Sequence, residues 1–165
     1  MIYETSVPVF IHYLKSLSAI LKKAEDYCAA KKIDPAVMLS QRLYPDMLAL
    51  TRQVQIATDG AKAAGARLAG IAVPSFADEE KTFEEVQARI AKTIGFLGSL
   101  STSQFDGAAD RVITFKSGSA DKSFKGSDYL GLWAFPNFFF HIATAYNILR
   151  HNGLEIGKGD YLRGG

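Results

Sequence analysis

Several things are scarce in this chain, and each scarcity excludes something. Among 165 residues there is one cysteine, Cys28, so no intrachain disulfide can form. That is compatible with a reducing compartment. No uninterrupted apolar run reaches the roughly 18–20 residues that a membrane span needs. The first residues, MIYETSVPVF, lack the basic stretch and long apolar core of a signal peptide. Charge of one sign is also missing: 19 basic residues face 17 acidic ones, for a net charge of +2, and no five like charges run together. The electrostatic footprint of a nucleic-acid-binding protein is therefore weak. These readings predict a cytoplasmic chain with no membrane and no nucleic-acid partner. Recognisable catalytic signatures are absent too. There is no G-x-S-x-G elbow, P-loop or dinucleotide fingerprint.

What is present is an ordinary globular balance, 48% hydrophobic and 22% charged. At this length one domain over residues 1–165 is expected, burying roughly two-thirds of its unfolded surface. Apolar residues recur at Val7, Phe10, Leu14, Leu17, Leu21, Ala24 and Cys28. Spacings of three and four predict a helix from about Val7 to Lys32, with Ser6 as N-cap and Pro8 in the first turn. Met47, Leu50, Val54, Ala57 and Ala61 predict a second helix, Tyr44 to Ala64, with Asp46 in its first turn and Gly65 as its stop. Residues 66–77 read as a loop. A third helix is predicted from an Asp78 cap to about Leu100, on Phe83, Val86, Ile90, Ile94 and Leu97.

Residues 111–126, RVITFKSGSADKSFKG, carry a β-branched run followed by a turn, which predicts a hairpin leaning on the helices. The last helix lies in PNFFFHIATAYNILRHNG. Pro136 either starts it or kinks a helix begun near Ser127, and Gly153 supplies its left-handed end. Beyond it, the Gly-rich tail is expected to wrap the surface. The sum is a mainly α, up-and-down four-helix bundle with a small β-hairpin insertion between the third and fourth helices.

The segments RLYPDMLALTRQVQIATDGAK, ARLAG, DEEKTFEEVQARI, PNFFFHIATAYNILRHNG and GKGDYL resemble a bacterial family known as domain of unknown function 1993. That family is similar to the DinB/YfiT-like superfamily of four-helix bundles. The resemblance covers nearly the whole chain and is most specific from Pro136 to Leu162. It implies a bundle that often dimerises. It also implies, in many members, a metal held by three histidines, one on the second helix and two spaced four apart on the fourth. Some members use such a metal to activate a thiol.

This chain departs from that pattern. Its histidines are His12, His141 and His151 alone. The second helix has none, and the residues four before and four after His141 are Asn137 and Ala145. Ten residues separate His141 from His151, about 15 Å along a helix axis, too far to share one ion. No metal and no cofactor is expected.

Among the chemistry-bearing residues, His141 sits in an apolar run and reads as a satisfied core histidine, a polar pocket group or a metal ligand. Asn137 is one turn earlier on the same face, where it caps the helix start or lines a ligand site with His141. Asp46 is a first-turn anion or a carboxylate facing His141. Asp59, Arg52 and Gln53 read as solvated or helix-pairing groups, and Cys28 as a buried inert thiol. The aromatics from Trp133 to Tyr146 exceed what one helix face needs, and the excess suits a pocket or a dimer interface. The sequence therefore predicts a homodimer that binds a small molecule near Asn137, His141 and Asp46. The alternatives are a metal-dependent or acid–base enzyme using His141, and a structural or stress-related dimer with no ligand.

Overall fold

The structure is a computed structural model and describes residues 1–164. Four long helices form the bundle: α1 (Ile2–Lys31), α3 (Leu50–Ala69), α4 (Phe83–Gly98) and α6 (Phe135–His151). A short helix α2 (Pro35–Leu39) follows α1, and α7 (Lys158–Leu162) closes the chain. Strands β1 (Val112–Ser117) and β2 (Ala120–Lys125) pair antiparallel between α4 and α6, with Ile113 opposite Phe124 and Phe115 opposite Lys122. The expected fold class is the one observed. Around the bundle the order is α1, α4, α3, α6, since α4 and α6 each pack against both α1 and α3.

Each helix is one face of buried apolar side chains, but the boundaries differ from the periodicity. Helix α1 begins five residues early. Ile2 and Tyr3 pack against the core, and Tyr3 meets Phe105 edge-on at 5.2 Å. Ser6 is then inside the helix, where its hydroxyl donates to the Ile2 carbonyl at 2.6 Å. Pro8 removes a donor on an exposed face, so water can satisfy the freed carbonyl.

Helix α3 starts at Leu50, not Tyr44. Pro45 and Asp46 lie in a turn closed by the Met47 N–H on the Tyr44 carbonyl, 2.9 Å. It then runs through Gly65 to a left-handed cap at Gly70, φ 72°. A Cβ at Gly65 would lie 2.6 Å from Leu97 Cδ2, so this glycine permits close approach of α3 and α4 rather than ending a helix. Residues 66–69 stay helical because Ala66, Leu68 and Ala69 are buried. Helix α4 is capped by Thr82, not Asp78. Thr82 and Glu85 form a reciprocal capping box, which satisfies two orphan donors at once.

The final helix is the kinked alternative. Helix α5 (Gly126–Asp128) passes through a π-helical stretch, Tyr129–Ala134, into α6. That wider register falls just before Pro136, which withdraws the N–H that would bond to Leu132. The hairpin leans on the π turn. Phe115 packs on Trp133 at 5.4 Å and on Tyr129 at 5.5 Å, with the Arg67 guanidinium 4.3 Å from the Phe115 ring centre. After Gly153, φ 93°, the tail returns along α1. There Lys23 pairs with Asp160 at 2.6 Å, and His12 donates to the Leu162 carbonyl at 2.8 Å.

Candidate functional site

Helices α3 and α6 meet at a pair of polar side chains. Gln53 lies three residues after Leu50 and one before Val54, so it shares their inward face and is 1% exposed. A buried carboxamide must spend its hydrogen bonds. Its Nε2 donates to the Leu48 carbonyl at 3.0 Å, which turns Oε1 toward α6. His141 Nδ1 lies 2.7 Å from that oxygen. Because Oε1 only accepts, Nδ1 carries the hydrogen and donates, and the neutral ring keeps its lone pair on Nε2.

Among the described residues Nε2 has no hydrogen-bond partner and no buried side-chain nitrogen or oxygen lacks one, so Nε2 is open to solvent. Burial, and secondarily the positive charge of Arg52, hold the imidazole below its ordinary range. His141 is thus half-buried, neutral and oriented, with one acceptor facing out.

Its predicted companions are arranged differently. Asn137 is exposed on α6, and its Nδ2 donates to the Trp133 carbonyl at 2.7 Å. That carbonyl belongs to the disturbed turn before the proline; the helix start has no side-chain cap, so Asn137 ties down a carbonyl one turn back and does not cap the helix start. Asp46 is exposed in the turn that precedes α3, and the ring-nitrogen partner of His141 is Gln53 rather than a carboxylate. Gln53 was read from sequence as a solvated or helix-pairing group; burial corrects the first half of that reading. The signal that could have found it was its i+3 spacing from Leu50.

Among the described residues no three His, Cys, Asp or Glu side chains converge to hold a metal ion. One imidazole beside carboxamides does not fit the three-histidine centre of the superfamily.

A second polar cluster lies between α3, α4 and the segment that joins them. Arg89 on α4 has a side chain 2% exposed. Its Nε donates to Thr58 Oγ1 at 2.8 Å, Nη1 to the Ala77 carbonyl at 2.8 Å and to Glu80 at 3.0 Å, and Nη2 to Asp59 at 2.9 Å. Asp78 is also 3.0 Å from Nη2 and pairs with Arg52. Burial acts to raise the Asp78 and Glu80 carboxyls. On Asp78 the guanidiniums of Arg52 and Arg89 outweigh it, on Glu80 the Gln55 amide and the Arg89 guanidinium do, and both carboxyls sit below their usual range. Asp59 therefore pairs two helices, as the helix-pairing reading had it, but the buried Arg89 at its centre was not singled out. Its signal was its position between Val86 and Ile90 on the apolar stripe. Cys28 is buried, and burial, then Asp34, pushes its thiol up, which disfavours the nucleophilic thiolate.

Bundle, hairpin and kinked last helix together define a DinB-like helical protein. A crystal structure of a DinB family member protein from Shewanella denitrificans is similar over 98% of this chain and 92% of that one, with 43% identity and a TM-score of 0.92. The chain belongs to the family described as domain of unknown function (DUF1993), whose match spans residues 2–162. No curated protein matches it. No helix among the described residues is long and apolar enough to cross a membrane.

Proposed function

We propose that this DinB-like protein is a homodimer that binds a small molecule between α3 and α6, with His141 Nε2 as the acceptor that orients it. The observation that carries the reading is the chain of hydrogen bonds from the Leu48 carbonyl through Gln53 to His141 Nδ1. A histidine serving only as a satisfied core residue would have both ring nitrogens bonded inside, whereas here only Nδ1 is and Nε2 is left to solvent. Oriented imidazoles of this kind are what binding sites use.

The ligand would present an N–H or O–H to Nε2. Asn137, one turn earlier, keeps its side-chain carbonyl free to accept a second donor, its Nδ2 being spent on Trp133. Leu132 and Phe140 on the solvent side of this helix are 70% and 56% exposed, and such apolar area supports a dimer interface.

A second reading, acid–base catalysis by His141, is favoured by the neutral imidazole, which is ready to take a proton. Asp46 has no part in that reading as a partner of the ring.

The test is a screen of small hydrogen-bond-donor fragments by saturation-transfer NMR, against wild type and His141→Ala. Binders lost in the variant support the site, and an absence of any His141-dependent binder refutes it. Light scattering during size exclusion should return twice the mass of one chain, and a monomer at all concentrations removes the dimer.

A further inference from the structure

The segment between α3 and α4 is held unlike the rest of the molecule. None of residues 70–82 is buried. Among the described residues, no backbone–backbone hydrogen bond involves residues 72–81. What holds the segment is side-chain chemistry. Arg52 on α3 pairs with Asp78, and Gln55 on α3 donates to Glu80 at 2.8 Å. Arg89 on α4 binds Asp78, Glu80 and the Ala77 carbonyl. The Phe76 ring lies between two ammonium groups, Lys62 at 4.0 Å and Lys92 at 4.1 Å from its centre.

Beneath the segment the surface is polar: Gln55, Thr58, Lys62 and Arg89 are all buried there. Lifting any of the four long helices would expose apolar core and cost accordingly. Here it would hydrate groups that water satisfies well, and Asp59 would remain beside Lys62 and Arg89 on the helices. Opening this segment therefore costs little apolar burial. A cleft of about 320 Å³ already runs along its edge, lined by Phe76, Glu79, Glu80, Ala88, Arg89 and Lys92 among others.

We propose that residues 71–81 form a flap latched by charge, which opens as a unit and exposes the cationic floor formed by Lys62 and Arg89. The carboxylates of Asp78 and Glu80 are the latch, and Arg52 and Arg89 are its keepers. The flap gates a crevice between α3 and α4, on a different helix pair from the His141 site.

Lys62 reports the open state, because Phe76 covers its ammonium and its side chain is 5% exposed. Pulse acetylation with acetic anhydride at neutral pH, read peptide by peptide in a mass spectrometer, gives its labelling rate. Lys125, 65% exposed, is the internal reference. In the double variant Asp78→Asn with Glu80→Gln, Lys62 labelling should rise by about tenfold or more relative to Lys125, with cooperative melting retained. An unchanged Lys62 rate in the folded double variant overturns the flap. Should the double variant not fold, Arg52→Gln removes one keeper at the surface and should raise the rate severalfold. A flat rate there overturns the flap as well.

Discussion

If Gln53 sets the state of His141, replacing its amide by a carboxylate must move the imidazole in a direction and by an amount that can be worked out. Gln53→Glu is nearly isosteric, and it places a negative charge where Oε1 now lies 2.7 Å from Nδ1. With about 4 Å between charge centres and an effective dielectric near 20, the attraction is about 4 kcal/mol, or about 3 pH units. Partial solvent access to the ring, competition from Arg52 for the new carboxylate, and repulsion between its second oxygen and the Leu48 carbonyl cut this by about half, so the midpoint should move up by about 1 to 2 pH units. The assay is an NMR titration of the imidazole Cε1–H signals, assigned by removing each of the three histidines in turn.

The effect on stability has a defined sign. In the wild type the folded imidazole is held below its reference value of 6.5, so its contribution is present above that pH and is lost as pH falls through the folded midpoint. In the Gln53→Glu variant a midpoint raised above 6.5 reverses this: stability is present below 6.5 and lost as pH rises. A His141 midpoint that moves by less than about 0.3 pH units would show that residue 53 does not face the ring.

Three further outcomes follow from the packing. Arg89→Met should lose about 2–3 kcal/mol in urea unfolding. This is below the usual cost of breaking a buried pair, because Asp59, Asp78 and Glu80 can rehydrate where they stand; a loss under about 0.5 kcal/mol would refute the network's role. Gly60→Ala and Gly65→Ala should have opposite signs in thermal melts. Nothing lies within 4 Å of a Cβ at Gly60, so the variant gains about 0.5–1 kcal/mol of helix propensity, whereas Gly65→Ala must push Leu97 and Leu100 aside and loses about 1–2 kcal/mol. Cys28→Ser should keep the fold at a cost of about 1 kcal/mol, since a serine hydroxyl in a helix can donate back to the carbonyl of Ala24; a loss above about 3 kcal/mol in urea unfolding would refute that compensation.

The candidate site was half legible in the sequence. His141 and Asn137 stood out as polar residues in an apolar helix, and their placement on one helix face required only the helical repeat. Gln53 did not stand out, because a glutamine on an amphipathic helix is usually solvated. Its spacing from Leu50 puts it on the inward face, but only the approach of α6 to α3 supplies its partner, a histidine 88 residues away. Asp46 failed as a partner for a local reason. Pro45 sits in a turn, and α3 begins five residues after it, where Leu50 enters the core. The Arg89 network was hidden in the same way as Gln53, with a charged residue on an apolar stripe explained only by carboxylates brought in from the joining segment.

By itself the sequence determined four amphipathic helices, a hairpin before the last of them, and a proline that disturbs that helix's start. These are local consequences of side-chain period, β-branched runs and a missing N–H, and any compact arrangement must honour them. Tertiary structure alone decided the order of helices around the bundle, where α1 and α3 are each flanked by α4 and α6. It decided that Gly65 joins two helices instead of ending one, and that Thr82 with Glu85 caps α4 while Asp78 latches onto Arg52 and Arg89. It also decided which polar groups are buried together. The physical reason is the same throughout: periodicity specifies which face of a helix is buried, but the partner of a buried polar atom is set by which other face is packed against it.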